Sequence, residues 1–583
     1  MLQLTRVLLS LIIITGVSSV FADDSCGEQA ARITSIQGTV KIRRSTSLEW
    51  LPANLNDSLC GNDAVRTAAH SRATLLVQKE TNIVLHERST VRFTNGQPGK
   101  NGLLTHLLNL FSGEAYLRSR RPRELGIETP FVNAMHEGTE FLVKVNQNST
   151  QVVVFDGVVV ASNSQGKLSI SEGQSALAMQ GQAPVIGPTI DLRDAVQWTL
   201  YYPPVIDYTA SQKSPSYQTL KPALDRYQTN DLTGAIAKLN SLSATQRTAD
   251  YHILYASLLL TVGQVEQANQ HLDQAQQQTG QNARILAIRS IIALAKNDQQ
   301  QALKLAQQAQ QLNPKASSAN IALSYAYQSL FDIDKALESA TQAAQSAPDN
   351  GLAWARVSEM ELATGDVDAS MQAARKAQTH NPKLAKTNTV LGFARLAELD
   401  LSDAEQSFRT AIERDPSDPL ARLGLGLAKI RQGHIKSGTR EMETAANLDP
   451  DNALIRSYLG KAYYEQRRGD IASTEYAIAK QLDPKDPTPW FYDAIYKQTV
   501  NRPVDALHDM QKAIELNDNR AVFRSRLLLD SDLAARNTGL ARAYTETGFD
   551  QAASQEAYNA LIYDPTSWSA HRFLSDSLAK TPR

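Results

Sequence analysis

Six prolines, Pro314, Pro348, Pro382, Pro416, Pro450 and Pro484, recur at intervals of 34 residues. Proline lacks a backbone N–H and its ring clashes with the preceding helical turn, so each marks a point where a helix has ended. Between them Ala, Leu and Gln recur at helical spacing from about residue 216 onward, and a period of this length fits two helices and their turns. Such a pair buries its apolar face only by stacking on its neighbours, so this part of the chain is expected to build a superhelical solenoid.

The period is that of tetratricopeptide helix pairs. Unit 385–418 carries Leu391-Gly392 in its first helix, Ala404, Phe408 and Ala411 in its second, and Pro416 at its exit; unit 453–486 repeats this with Leu459-Gly460, Tyr463, Ala472, Tyr476, Ala479 and Pro484. Small residues let helices approach and the large ring fills the gap between units, so these are packing positions. The repeats are expected over 216–520, with a degenerate first unit and about ten units in all once the chain end is included. Asp518 stands where a proline belongs, and the surplus residues at 521–533 read as either a lengthened helix or a docking element; a last repeat and a C-terminal helix fill 534–583.

The first half differs. Residues 1–22 combine Arg6, an apolar run too short to span a bilayer comfortably and Val20-Phe21-Ala22, which reads as a cleaved export signal, with a retained anchor helix as the alternative. From 23 to 180 the chain is rich in β-branched residues in short alternating runs such as TNIVLHE and TQVVVFDGVVVAS, bounded by turn residues, and an all-β sandwich or short β-solenoid is expected. Within it TPFVNAMHEGTEFLVKV reads as a strand, a turn at Gly138 and a second strand in which Phe141 and Val143 fill the core. The only two cysteines, Cys26 and Cys60, lie in this half and form a candidate disulfide in an oxidising compartment; two free thiols are the alternative. Residues 181–215 are a Pro/Gly/Ser-punctuated linker with one short helix around Asp191–Thr199, whose Trp198, Tyr201 and Tyr202 are expected to dock it onto a neighbouring domain.

Lys and Arg total 59 against 60 Asp and Glu, a net charge of -1, which offers nucleic acid no electrostatic footprint. No metalloprotease, nucleophile-elbow, phosphate-loop or calcium-loop motif occurs, so no cofactor, metal or catalytic residue is assigned and the chain is read as a non-enzyme. His136-Glu137 reads as a hydrogen-bonded turn pair rather than a catalytic base. Arg118, Arg120, Arg121 and Arg123 form a candidate contact for carboxylates or phosphates of an envelope polymer, against the reading of a solvated loop. The solenoid supplies the other candidate site. The ninth position of successive units reads Ile291, Tyr325, Glu359, Phe393, Leu427, Lys461 and Ile495; Ile291, Tyr325, Phe393, Leu427, Lys461 and Ile495 are expected to line a mostly apolar peptide groove on the concave face, against the reading that these side chains merely complete the packing of the solenoid.

The β half resembles the FecR family through Thr129-Pro130-Phe131, Gly138-Thr139-Glu140-Phe141, Val154–Val160 around Gly157, and Gly173-Gln174. In that family the domain belongs to a transmembrane regulator of a sigma factor; with an export signal in front, a direct role of that kind is not expected here. The whole arrangement is similar to exported FecR and tetratricopeptide proteins of Gram-negative bacteria, some of which continue into an outer-membrane barrel. Either a naturally short version or an incomplete sequence fits an end at Arg583. The resemblance implies a multidomain chain, an N-terminal all-β FecR-like domain followed by an all-α tetratricopeptide solenoid. It implies a periplasmic or outer-membrane-associated scaffold with protein or peptide partners, and an envelope polymer or outer-membrane protein as further partner; the alternative is an envelope sensor signalling to an inner-membrane regulator.

Overall fold

The 34-residue period is written into backbone chemistry as well as apolar spacing. The computed structural model describes residues 29–77, 81–94, 97–98, 104–119, 122–137, 140–188, 195–208, 215–516 and 529–580. Within them each unit is an antiparallel helix pair, such as Ala385–Ala397 with Leu401–Arg414. The turn inside each unit contains one residue with positive φ, at Asn297, Phe331, Gly365, Leu399, Gly433, Arg467 and Asn501 in successive units. In four of them the next residue is an aspartate, Asp298, Asp332, Asp366 or Asp400, whose carboxylate accepts a backbone N–H of the following helix. That bond satisfies a donor the helix cannot satisfy internally.

Units are locked by rings set between glycines. Phe408 is fully buried, and a Cβ placed on Gly392 of its own unit or on Gly424 of the next would come within 2.6 or 2.2 Å of its ring. Tyr476 stands against Gly460 in the same way. Phe408→Leu, which shortens the wedge without emptying the site, is expected to cost about 1–2 kcal/mol, read as a lowered midpoint in urea unfolding.

The helix pairs run from Pro215–Tyr227 with Leu232–Asn240 to Leu529–Glu546 with Asp550–Tyr563, and Trp568–Lys580 comes last. The expected insertion at 521–533 falls partly outside the described residues, and 529–533 form the start of the 18-residue helix Leu529–Glu546. The superhelix coils far enough that the Asn297 side chain donates to the Leu482 carbonyl, 3.2 Å away and 185 residues along the chain. Among the described residues no helix is long and apolar enough to cross a membrane.

The β half is two layers around one core. One layer pairs, in order, Ser58–Cys60, Gln29–Gln37, Arg72–Val77, Thr81–Leu85, the second half of Leu104–Ser119, Glu140–Val145, Ser149–Asp156, Ser175–Met179 and Val185–Ile186. The other orders Leu51–Pro52, Val40–Arg43, Ala64–Thr67, Thr90–Phe93, the first half of Leu104–Ser119, Pro122–Glu128, Asn133–Glu137, Val158–Asn163 and Gly166–Ser171. The strands thus continue to Ile186, beyond residue 180. Leu104–Ser119 belongs to both layers, and Gly113, at φ 87°, marks where it passes from one to the other. A Cβ there would also meet the Ser89 Cα at 2.5 Å.

The stretch 129–145 is not a hairpin. Asn133–Glu137 pairs within one layer and Glu140–Val145 within the other, so the segment crosses the sandwich. Gly138 lies outside the described residues, as do the side chains of His136 and Glu137; Phe141 and Val143 are fully buried in the core between the layers. Cys60 is disulfide-bonded, while Cys26 and the export segment 1–22 lie outside the described residues.

Candidate functional site

The segment after the β half decides what the solenoid's concave side can do. Only residues 195–199 of the expected short helix are described, and they end in a single 3-10 turn, Gln197–Thr199. Val196 and Trp198 cover Val84, Tyr116, Leu142 and Val153 on the outer face of one β layer. The chain then runs without helix or strand through Leu200 to Asp207. Pro203 and Pro204 have no N–H to satisfy, which suits an extended segment lying against side chains rather than in a sheet.

This strap lies inside the solenoid. Leu200, Tyr202 and Val205 are buried in one apolar cluster with Leu254, Leu258, Ile288 and Ile291. The Tyr201 N–H donates to the Asp449 carboxylate, Tyr208 Oη and Ser257 Oγ are 2.9 Å apart, and Asn381 Nδ2 donates to Asp207 Oδ1 at 3.2 Å. A cavity of about 120 Å³ lies between the strap and Leu254, Ile288 and Leu384. A second, of about 290 Å³, is bordered by Tyr201, Pro203, Tyr325, Asp449 and Asp483.

The β half is seated on the solenoid at two distant places. Near the first full unit, Thr39 Oγ1 and Thr233 Oγ1 are 3.1 Å apart, and Gln264 bonds both the His70 ring, at 2.6 Å, and the Glu87 carboxylate. Arg72, 3% exposed, donates to the Trp198 carbonyl at 2.7 Å and to Gln37 at 2.6 Å; burial holds its pKa down to about 10. Far along the solenoid, Arg118 donates to the Ala446 carbonyl at 2.6 Å. Glu140 stands between Arg118 at 3.4 Å and Arg456 at 3.5 Å, accepts the Tyr116 hydroxyl at 3.0 Å, and Arg456 also meets Glu475 at 3.1 Å.

These contacts correct two expectations drawn from residue types. Arg118 is not on a solvated loop open to a polyanion: it is 4% exposed, in a strand, with its guanidinium committed to the solenoid. Arg120 and Arg121 and the side chain of Arg123 lie outside the described residues. Nor do the ninth positions line one open apolar groove. Ile291 is buried in the same cluster as the strap, Tyr325 borders the larger cavity with the Arg356 guanidinium 3.8 Å from its ring centre, and Phe393 packs edge-on against Phe408 at 4.9 Å. Leu427 packs between units, Lys461 pairs with Glu465, and Ile495 is half-buried. Glu359 is buried in a charged triad with Arg356, at 2.9 Å, and Lys386.

The residues missed by motif reading are those of the junction, Arg72, Gln264, Glu140 and Arg456, whereas the expected docking of the linker through its aromatics is met: Trp198 packs on the β layer and Tyr202 in the solenoid. The strap's sequence signal was the Tyr-Tyr-Pro-Pro run that cannot enter a helix, and Glu140 stood out only as part of the Gly138–Phe141 run, with nothing to mark it as a contact to the solenoid.

Buried carboxyls make the junction sensitive to pH. Burial pushes Glu443, which faces Arg32 and Arg468 and accepts the Tyr463 hydroxyl at 3.0 Å, up to about 7. Burial likewise raises Asp449 and Asp483 to about 6. A carboxyl raised in the folded state binds its proton more tightly there than when unfolded, so its contribution is fully present below its unfolded value and is lost as pH rises through its folded one. Acidification from pH 8 to 5 is therefore expected to stabilise the protein through these groups. Glu443→Gln should remove on the order of 1–3 kcal/mol of that slope, measured as urea midpoints against pH. Glu359 and Glu441, held low by their cations against the opposing effect of burial, work the other way only in stronger acid.

With this geometry in place, the sequence families are unambiguous. FecR protein matches residues 63–160, and Tetratricopeptide repeat matches residues 321–385 and 390–436. The chain carries a FecR domain and a tetratricopeptide solenoid. No curated protein matches it. Among solved structures, the human IFIT1 dimer with m7Gppp-AAAA is similar at 13% identity over 64% of this chain and 95% of that one, with a TM-score of 0.40. The APC/C hetero-tetramer Cut9-Hcn1 is similar at 14% identity over 63% and 90%, with a TM-score of 0.33. Both the FecR domain and the repeats are non-catalytic domains, and among the described residues no cluster of three or more His, Cys, Asp or Glu is placed to hold a metal.

Proposed function

We propose that this protein is a non-enzymatic scaffold of the cell envelope, exported to the periplasm, in which the tetratricopeptide solenoid holds protein partners and the FecR domain sets the shape and accessibility of the holding surface. The observation that supports it most is the FecR domain's double seat on the solenoid, at Thr233–Gln264 and at Ala446–Arg456. Two seats so far apart tie the superhelix to a rigid β body, which suits a surface that must keep one shape. The Cys60 disulfide and the apolar leader, which resembles an export signal, support an oxidising compartment. The FecR domain's engagement of an envelope polymer or outer-membrane protein belongs to the same reading, through surfaces other than Arg118.

The test is crosslinking of the mature protein in its native cells, with Arg456→Leu, which cuts one seat, as the control. Fractionation should place the protein in the periplasm or on the outer membrane, with specific protein partners recovered in amounts that fall in the variant. Recovery of no protein partner in either case would overturn the scaffold. A membrane-spanning partner together with an altered transcript profile on deletion would instead establish the sensor.

A further inference from the structure

The strap reports on what the solenoid's channel is built to hold. Residues 200–207 run without helix or strand, and their two adjacent prolines restrict both themselves and the residue before them, so little chain freedom is lost on seating. The channel engages them by side-chain pockets rather than by a backbone ladder: Leu200, Tyr202 and Val205 enter the apolar cluster, and the polar contacts reach from Asp449, Ser257 and Asn381. This is how a groove recognises an aromatic and proline-rich segment. The fit is loose. Cavities of about 120 Å³ and 290 Å³ flank the strap, so a segment with larger side chains would gain packing that the strap does not make. The larger cavity is bordered by Asp449, Asp451, Asp483 and Asp486 and by the triad of Glu359 with Arg356 and Lys386; carboxylates outnumber cations there, which favours basic residues beside the aromatic–proline core.

We propose that the channel is a binding site for an extended aromatic–proline segment of a partner protein, flanked by Lys or Arg, and that residues 200–208 occupy it in cis until such a segment displaces them. This rests on the reading of the solenoid as a partner-holding surface, and it adds the chemistry of the partner and a control built into the same chain. Because the strap is tethered, it competes at an effective concentration in the millimolar range for a short linker. An outside segment therefore succeeds only by fitting better or by arriving at high local concentration.

The test uses the full mature chain and a fluorescein-labelled peptide, Lys-Lys-Trp-Thr-Leu-Tyr-Tyr-Pro-Pro-Val-Ile-Lys, in anisotropy titrations. A strap-weakened variant, Tyr201→Ser with Val205→Ser, is expected to bind it roughly tenfold or more tightly than the unaltered protein. Adding Ile291→Asp to that variant should abolish binding. Equal binding by the first two proteins, or equal binding of a scrambled peptide, overturns the proposal. Where the strap variant loses its helical circular dichroism, hydrogen exchange of the unaltered protein decides: saturating peptide should speed exchange at residues 200–208, and unchanged exchange overturns the proposal. Failure to find partners in cells with peptide binding intact would count against the scaffold alone, whereas partners in cells without peptide binding would count against this site alone.

Discussion

Arg456→Leu is expected to lower stability by about 3–5 kcal/mol and to release the far seat of the FecR domain. Arg456 is 2% exposed on its side chain and sits between Glu475 at 3.1 Å and Glu140 at 3.5 Å, with its Nε donating to the Pro450 carbonyl at 2.8 Å. Burial works against its charge, yet Glu475 and Glu140 outweigh it and raise the guanidinium's pKa. Removing the cation takes it from between the buried Glu475 and the mostly buried Glu140, whose carboxylates are then left facing each other, which is why breaking a buried set costs more than the set contributes when whole. Thermal unfolding of Arg456→Leu should show the loss, and Arg456→Leu with Glu475→Gln should recover part of it. A Glu140→Gln variant should loosen the seat with a smaller loss, since Tyr116 and Arg118 still face that position.

Gly263→Ala is expected to unseat the strap at its start, at a cost of about 3 kcal/mol, the upper end of the range for a single strained backbone site. Gly263 has φ 75°, and a Cβ on it would fall 2.0 Å from the Trp198 carbonyl oxygen and 2.6 Å from its carbon. The colliding atoms are backbone, so no rotamer change relieves the overlap. The Trp198 carbonyl is also the acceptor of Arg72, and the Trp198 ring lies 4.5 Å from His86. A displacement there therefore breaks into the near seat of the FecR domain as well. Limited proteolysis should cut Gly263→Ala within 200–208 at protease levels that spare the unaltered chain; equal cutting would show that the strap's seat does not depend on this contact.

The solenoid was legible because its determinants are local and periodic. Proline exits, the helical spacing of Ala and Leu, and the Gly392–Phe408 wedge all lie within one unit or the next. The FecR domain was legible as alternating strands, yet two of its features were not. Alternation along 129–145 reveals two strands but not that they enter different layers, because either layer satisfies the same pattern. Leu104–Ser119 escaped notice because a strand shared by two layers has no single inward face and so no clean alternation.

The junction was the least legible part. Arg118 meets Ala446 across 328 residues of sequence, and nothing local to SRRPRE distinguishes a buried arginine from a solvated one. The ninth-position series likewise treated every unit alike, whereas the strap enters from one end and gives Ile291 and Tyr325 a neighbour that Lys461 and Ile495 do not share. A repeat pattern predicts the shape of a groove, but its occupant lies outside the repeat.

A partner-holding surface of fixed shape requires the FecR domain to be seated on the solenoid in solution. Thr39→Cys with Thr233→Cys tests this most directly, because these hydroxyls, one in each domain, are 3.1 Å apart. A short bis-maleimide should bridge the two cysteines within one molecule nearly completely, as read by mass spectrometry of the digested protein, while neither single variant forms the link. Two thiols that react independently and bridge no faster than a pair placed on opposite sides of the molecule would contradict that seating.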